Sequence, residues 1–359
     1  MEVALRLARR ALGTAWPNPA VGCVLVRDGR IVGRGWTQPG GRPHAETEAI
    51  RRAGKAARGA DAYVTLEPCS HIGKTPPCAE AVIDAGIARV VIAIEDPDPR
   101  VSGKGTAWLR SAGIEVVEGV CADEAAEINA GYLLRRTQGR PLFTLKLASS
   151  LDGRIATAAG DSRWITGAPA RAVAHRLRAD HDAVIVGINT ALTDDSALTC
   201  RLPGLEARSP VRVVLDSTAR LPTGAAMAST AADVPTWLLT TAAAPANRVA
   251  ALEALGVRVM RVEANADGRP APAAVAAAFG EEGITRVLIE GGGAVAGAFL
   301  AAKLVDRVAW FHAPRVVGAD GVPAAAALGV ETVEAAPGFV LTGTRAIAGD
   351  LLSTFRLGD

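Results

Sequence analysis

Along residues 1–139 the apolar positions switch repeatedly between a helical and an extended period. The opening "VALRLARRAL" carries apolar residues at helical spacing. "VGCVLVRDGRIVGRGW" reads as a hairpin: a β-rich run, an Asp28-Gly29 turn and a second strand. "HAETEAIRRAGKAA" predicts a helix followed by Gly59, and "AYVTLEP" a strand running into a cysteine loop. "CAEAVIDAG" is helical, "RVVIAIED" extended, and "GTAWLRSAG" with "IEVVEG" repeats the helix-then-strand order. "ADEAAEINAGYLLRRTQG" predicts a longer helix that ends in basic residues and Gly139, where a domain boundary is expected.

A new pattern begins at "RPLFTLKLASSLDGRIA". "HDAVIVG", "PVRVVLD", "PTWLLTT", "GVRVMRV", "TRVLIEGGG" and "RVAWFHAPRVVG" are apolar strand candidates separated by helical stretches, an α/β organisation. The Ala/Pro-rich stretch 219–280 reads chiefly as helices and loops without functional residues. The halves, 1–139 and 140–359, do not resemble each other, and there is no internal repeat.

Length agrees with two domains, since 359 residues exceed one ordinary core. The 39 basic and 37 acidic residues give a net charge of +2, which offers no basic stripe for a nucleic-acid partner. Five cysteines, an odd number in a long chain, argue against a disulfide scaffold. The first residues lack the apolar segment and cleavage site of a secretory signal, and no apolar run reaches membrane-span length. The expectation is a cytoplasmic enzyme of small molecules, with no nucleic acid or membrane partner.

The chemistry concentrates in "LEPCSHIGKTPPC" and, upstream, "PHAETEA". A His, two Cys and a Glu two residues after the His match the zinc-deaminase arrangement. His44, Cys69 and Cys78 would supply three ligands, leaving the fourth position of a catalytic zinc to water. Glu46 would move protons from that water to the ring nitrogen and the leaving amine. A Cys69–Cys78 disulfide is the bland alternative; neither the reducing compartment nor the neighbouring His and Glu favours it.

These residues resemble the RibD family of bifunctional riboflavin-biosynthesis deaminase/reductases. Eight residues separate the cysteines, unlike the two of simple cytidine-type deaminases, and "PNPAVGCVLV" matches a second family signature. The resemblance implies a cytidine-deaminase-like three-layer α/β/α domain and substrate contacts at Asn18, His71 and Lys74, the lysine suiting a phosphate. Read alone, His71 and Lys74 would be exposed loop residues. Trp16 and Thr37 depart from the family, which carries a polar or His residue at the first position and often a His near the second.

In the second half, "VLIEGGGAVAGAFL" is a buried strand ending at Glu290, three glycines and a helix start. It is not a dinucleotide-binding GxGxxG; by itself it is either a tight turn or a phosphate-binding loop. Together with "KLASSLDGRIA", "GDSRWITG" and "LRADHDAVIVGINTALTDDSALTCR" it resembles the family's reductase domain over 141–217 and 286–318. The resemblance implies a dihydrofolate-reductase-like α/β fold that uses NADPH. It places cofactor contacts at Ala148, Trp164, Thr190, Asp194, Ser217 and the loop Gly292, Gly293, Ala294, Val295, Ala296, Gly297 and Ala298. It places substrate contacts at Ser162, Arg178, Leu198, Arg201 and Glu290, with the two arginines suited to the substrate phosphate. Lys146 and Asp152 are site candidates of lesser weight, and solvation at a strand edge explains Lys146 equally well. His175, His181 and His312 read as surface or satisfied core histidines.

The expected activity is therefore zinc-dependent deamination of a phosphoribosylated diaminopyrimidinone, followed by NADPH-dependent reduction of its ribosyl group by a homo-oligomer. The alternatives are an active deaminase whose second domain only binds NADPH or dimerises, and a nucleic-acid deaminase, which the charge and the cysteine spacing disfavour.

Overall fold

In the computed structural model, which describes residues 1–73 and 75–358, the chain divides into units Met1–Arg140 and Pro141–Asp359. The first unit contains strands β1 (Gly22–Arg27), β2 (Arg30–Trp36), β3 (Asp61–Val64), β4 (Arg89–Ile92) and β5 (Glu115–Val117). Among the described residues they form one sheet in the order β2-β1-β3-β4-β5. The β1–β2 hairpin and the β1–β3 pair are antiparallel, and β3, β4 and β5 run parallel. Helices α1 (Glu2–Ala8), α2 (Ala45–Ala53), α3 (Cys78–Asp84), α4 (Lys104–Ser111) and α5 (Ala122–Gln138) cover both faces.

The alternation along β1 explains the layering. Cys23 and Leu25 pack with Ala45 and Ala49 of α2, Val82 of α3 and Leu109 of α4. Val24 points the other way, onto Ala4 and Leu7 of α1, while Leu5 and Ala8 of that helix meet Ala125 and Ile128 of α5. The result is the expected three-layer arrangement. Glycines let the helices approach: a methyl at Gly35 would stand 2.0 Å from the Ala45 carbonyl oxygen, and one at Gly22 1.9 Å from that of Ala4.

The second unit holds β6 (Leu142–Ser149), β7 (Arg154–Ala156), β8 (Ala183–Gly187), β9 (Val211–Leu215), β10 (Thr236–Thr240), β11 (Arg258–Arg261), β12 (Arg286–Ile289), β13 (Arg307–His312), β14 (Val322–Pro323), β15 (Phe339–Ile347) and β16 (Asp350–Leu357). Its helices are α6 (Ala168–Ala179), α7 (Ile188–Asp194), α8 (Ala226–Ser229), α9 (Ala246–Glu253), α10 (Pro272–Glu281) and α11 (Gly293–Ala301). Among the described residues the main sheet runs β11-β10-β9-β8-β12-β6-β13-β16-β15. It is parallel from β11 to β13, and its last two pairs are antiparallel. The C-terminal hairpin β15–β16 lies beyond the strand candidates read from sequence; β15 is a mostly exposed edge, so its side chains carry little apolar periodicity.

His181 is a satisfied core histidine of this unit. One ring nitrogen lies 2.7 Å from the Leu177 carbonyl oxygen and the other 2.9 Å from the Thr144 hydroxyl. Burial, with Arg286 nearby, lowers its pKa to about 4. The folded state therefore binds the proton less readily than the unfolded chain. His181 contributes stability above the unfolded pKa of about 6.5, and that contribution is lost as the pH falls toward 4. Urea midpoints of the second unit should drop across this window, and His181→Asn should remove that part of the pH slope. A second expectation concerns Gly35→Ala. The added methyl must displace the start of α2, which should cost about 1–3 kcal/mol in chemical denaturation and lower the metal content of the purified protein.

Candidate functional site

The first site forms where β3 and α2 bring their flanking loops together. His44 is the N-cap of α2, and Cys78 is the first residue of α3, directly after Pro77. The His44 Nδ1 lies 3.2 Å from the Cys78 Sγ and 3.6 Å from the Cys69 Sγ. The ligand atoms of the three residues lie within 4.8 Å of one another. Both cysteines are free thiols, which removes the disulfide alternative. One imidazole nitrogen and two sulfurs at this spacing suit zinc, with Cys78 buried and His44 and Cys69 part-buried beside it. The Cys69 thiol is drawn down to about 4 by the Cys78 thiol, by His44 and by the Cys78 backbone N–H, which donates to its sulfur at 3.3 Å.

A cavity of about 260 Å³ opens over His44 and Cys69 of this trio. Glu46 lines it from the first turn of α2 and is buried. Burial pushes its carboxyl up to about 7, and the positive charge of His44 acts in the opposite direction. Asn18 lines the wall, its amide donating to the Gly41 carbonyl oxygen at 2.8 Å. Gly41 has a φ of +83°, and a methyl there would run into the Asn18 side chain, so this glycine sets the position of that amide. His71 also lines the cavity, and its Nδ1 is buried without a hydrogen-bond partner. Lys74 lies outside the described residues.

The two departures from the family pattern have different places. Thr37 is buried at the cavity wall; its hydroxyl donates to the Pro19 carbonyl oxygen and accepts the Val21 N–H. Both capacities of that hydroxyl are used to hold the segment that bears Asn18. Trp16 is absent from the cavity lining. Sequence reading missed Arg42, Asp96, Asp98, Arg100 and Tyr132, which also line it. The Tyr132 hydroxyl donates to Asp96 at 3.1 Å, and Asp98 is held by Arg100 and Arg136, each at 2.6 Å. Apart from Arg42, which precedes the Pro43-His44 motif, these residues come from β4–α4 and α5, elements with no motif of their own.

In the second unit, two cavities lie along the carboxyl ends of the parallel strands, where such sheets bind ligands. The larger, about 580 Å³, is lined by Lys146, Ser162, Trp164, His175, Thr190, Asp194, Leu198, Arg201 and Glu290, with Arg178 between them. Arg178 does not offer a free fork. Its Nε and one terminal nitrogen donate to the two Glu290 oxygens at 2.6 and 2.9 Å, and the other donates to the Thr199 carbonyl oxygen. Arg178, expected to contact the substrate, does line this pocket, with its charge paired to Glu290. Burial by itself would raise the Glu290 pKa, but Arg178 outweighs it and holds the carboxyl at about 2. Lys146 enters the same pocket from β6, and burial lowers its pKa. His175, set aside from sequence, stands here too, its ring 3.1 Å from the Thr199 carbonyl oxygen.

The other cavity, about 420 Å³, shares Thr190 with the first. Ser217, Gly292, Gly293, Ala294, Val295 and Ala298 line it. Ala296 and Gly297 do not: Ala296 is buried, and a methyl at Gly297 would meet Ala326, so these two positions pack α11. Ala148 lies in β6 and packs against the Phe311 cluster, away from both linings. Asp152 is likewise structural, accepting the Val317 and Gly318 N–H groups. The glycine run allows close approach: a methyl at Gly291 would stand 2.8 Å from the Gly187 nitrogen, and the Gly292 N–H donates to the Thr190 hydroxyl. A cavity that passes the N-terminus of α11 and joins a polar pocket fits an extended dinucleotide such as NADPH. The 219–280 stretch, expected from sequence to be chemically quiet, supplies Arg220, Asn265, Asp267 and Arg269 to this cavity lining.

Comparison with known proteins gives two family models. "RibD C-terminal domain" matches residues 141–352, and "Cytidine and deoxycytidylate deaminase zinc-binding region" matches residues 1–94. The chain is 44% identical to the riboflavin biosynthesis protein RibD of Bacillus amyloliquefaciens, over 90% of this chain and 86% of that one. It is 39% identical to the Escherichia coli K12 RibD, over 98% and 96%. A solved Acinetobacter baumannii RibD superposes with a TM-score of 0.88 at 38% identity, covering 100% of this chain and 98% of that one. A Thermotoga maritima diaminohydroxyphosphoribosylaminopyrimidine deaminase/5-amino-6-(5-phosphoribosylamino)uracil reductase gives 0.86 at 36%, covering 100% and 97%.

Arg178→Met would strand the Glu290 charge in the interior. Urea denaturation of the second unit should show a loss of about 3–5 kcal/mol.

Proposed function

The chain belongs to the RibD family, and from that premise we propose that it carries out two consecutive steps of riboflavin biosynthesis. The first is hydrolytic deamination of 2,5-diamino-6-(5-phosphoribosylamino)pyrimidin-4(3H)-one, and the second is NADPH-dependent reduction of the ribosyl side chain to ribityl. The observation that carries the reading is the pairing of a His44–Cys69–Cys78 cluster beside buried Glu46 with a separate dinucleotide-sized cavity in the second unit.

Bound zinc supplies a water whose pKa is brought near neutrality. Glu46 faces the same cavity from a dry site, where a carboxyl exchanges protons readily near pH 7, and it delivers a proton to the ring nitrogen and the departing amine. Asn18, fixed through Gly41, keeps its carbonyl oxygen for a ring substituent. His71 borders the cavity from the loop between the cysteines, and we assign Lys74, on the residue pattern of the family, to the phosphate.

In the second unit NADPH supplies the hydride when bound. Glu290, oriented by Arg178, and Lys146 border the pocket at the ends of β12 and β6. Lys146, made more acidic by burial, is suited to give a proton to the sugar oxygen as the ring opens. Arg201 is exposed at the pocket mouth and suits the substrate phosphate, with Ser162 and Leu198 beside it. Thr190 and Ser217 line the cavity assigned to the cofactor, and Trp164 and Asp194 line the adjoining pocket that Thr190 shares.

Among the described residues no helix is long and apolar enough to cross a membrane. We read the protein as a cytoplasmic enzyme of a small molecule. The exposed edge strand β15, with Val340 and Leu341 on its surface, supports a homo-oligomer.

Zinc-loaded protein should convert the diaminopyrimidinone ribosyl phosphate to the deaminated product without cofactor, and mass spectrometry should find the ribityl product only when NADPH is added. Glu46→Gln should abolish deamination while keeping zinc and should still reduce deaminated substrate supplied directly. Deamination without any NADPH-dependent product would leave the second unit as a binding module.

A further inference from the structure

His175 and Arg178 lie three residues apart on one face of α6, and both border the substrate pocket of the second unit. The segment 198–201 belongs to no helix or strand, and it carries Leu198 and Arg201 into the same lining. It begins with a non-glycine residue in the left-handed region, Leu198 at a φ of +50°. Irregular backbone of this kind keeps its shape only when its polar groups are held from outside. Here side chains hold them one after another. Arg178 donates to the Thr199 carbonyl oxygen at 3.0 Å, the Ser209 hydroxyl accepts the Cys200 N–H at 3.1 Å, and the His175 Nδ1 stands 3.3 Å from the Arg201 backbone nitrogen.

The same Nδ1 lies 3.1 Å from the Thr199 carbonyl oxygen. One ring nitrogen can donate to that oxygen or accept from the Arg201 N–H, and not both. The oxygen already has the Arg178 guanidinium. Among the described residues the Arg201 N–H has no other acceptor. The state that satisfies both is a neutral ring with its proton on Nε2, so that Nδ1 accepts. Burial, with Arg178 and Arg201 nearby, lowers the pKa of His175 and favours that neutral form. Arg201 itself is exposed at the pocket mouth. With its N–H tied to α6, the base of this long side chain is fixed beside the pocket before a ligand arrives. Less freedom is then lost when the guanidinium closes on an anion.

We propose that His175 is a positioning residue for the reduction: its Nδ1 fixes the backbone at Arg201, and through it the guanidinium that receives the substrate phosphate. The inference rests on the reductase reading and on the assignment of Arg201 given above.

The test is steady-state kinetics of the reduction on the full-length protein, with NADPH and either the deaminated phosphoribosyl substrate or its dephosphorylated form. His175→Ala should raise KM for the phosphorylated substrate about tenfold, with kcat and the KM for NADPH within about twofold of wild type. The dephosphorylated substrate should not register the change. On an Arg201→Ala background the same substitution should add little, because the two residues act as one unit. His175→Asn puts an amide oxygen where Nδ1 stood and should recover most of the affinity. His175→Gln, whose amide falls nearer the place of Nε2, should not. This polar pair keeps the comparison decisive if the alanine variant folds poorly. Recovery by Gln and not by Asn would mean direct contact through Nε2 and would overturn the positioning role. An unchanged KM in His175→Ala, or an equal loss with the dephosphorylated substrate, would overturn it too. Arg201→Ala with a wild-type KM would remove the phosphate assignment and the inference with it. A wild type that reduces nothing with NADPH would remove the reductase reading beneath both.

Discussion

A carboxylate buried in a protein interior persists only if cations or directed N–H groups meet it, and both units are organised around that requirement. Glu67 is buried under the deaminase cavity and accepts the N–H groups of Asp96, Gly103 and Thr106, which pins the loop after β4 to the start of α4. Asp182 accepts the Thr285 and Arg286 N–H groups and thereby joins the starts of β8 and β12. Asp306 accepts the Phe143 N–H at 2.8 Å and fixes β6 beside β13. Glu290 has Arg178. Each of these acids is spent on holding backbone or charge in place.

Glu46 differs from all of them. It is as deeply buried, but it sits among two thiols and the His44 imidazole. The fold leaves this one carboxyl to be balanced by whatever occupies the cluster beside it. A group poised in this way exchanges protons instead of anchoring structure. The contrast with Glu67, two residues before Cys69 and held by three backbone N–H groups, separates support from chemistry within a single cavity.

The second unit applies the same physics along a sheet edge. Parallel strands deliver their carboxyl ends to one side, and the residues that follow β6, β8, β9 and β12 converge there from distant parts of the chain. Arg178, which reads from sequence as a phosphate receptor, is consumed in keeping Glu290 charged.

Much of the fold was legible because period and punctuation are local properties. The hairpin at Asp28-Gly29, the helix ending at Gly139 and the α/β alternation follow from neighbours in sequence. The zinc cluster was legible too, since HxE and the Pro-Cys pair are short motifs whose chemistry permits few other readings. What stayed hidden depends on pairing across long separations. No local signal says that Arg178 meets Glu290, that Thr37 spends its hydroxyl on Pro19 and Val21, or that Arg269 shares a cavity with Gly292. Sequence by itself determined most of the elements, the candidate ligand trio and the Glu46 beside it. Tertiary structure decided which charges are already neutralised by partners and which remain for a ligand, because that depends on distances only packing sets.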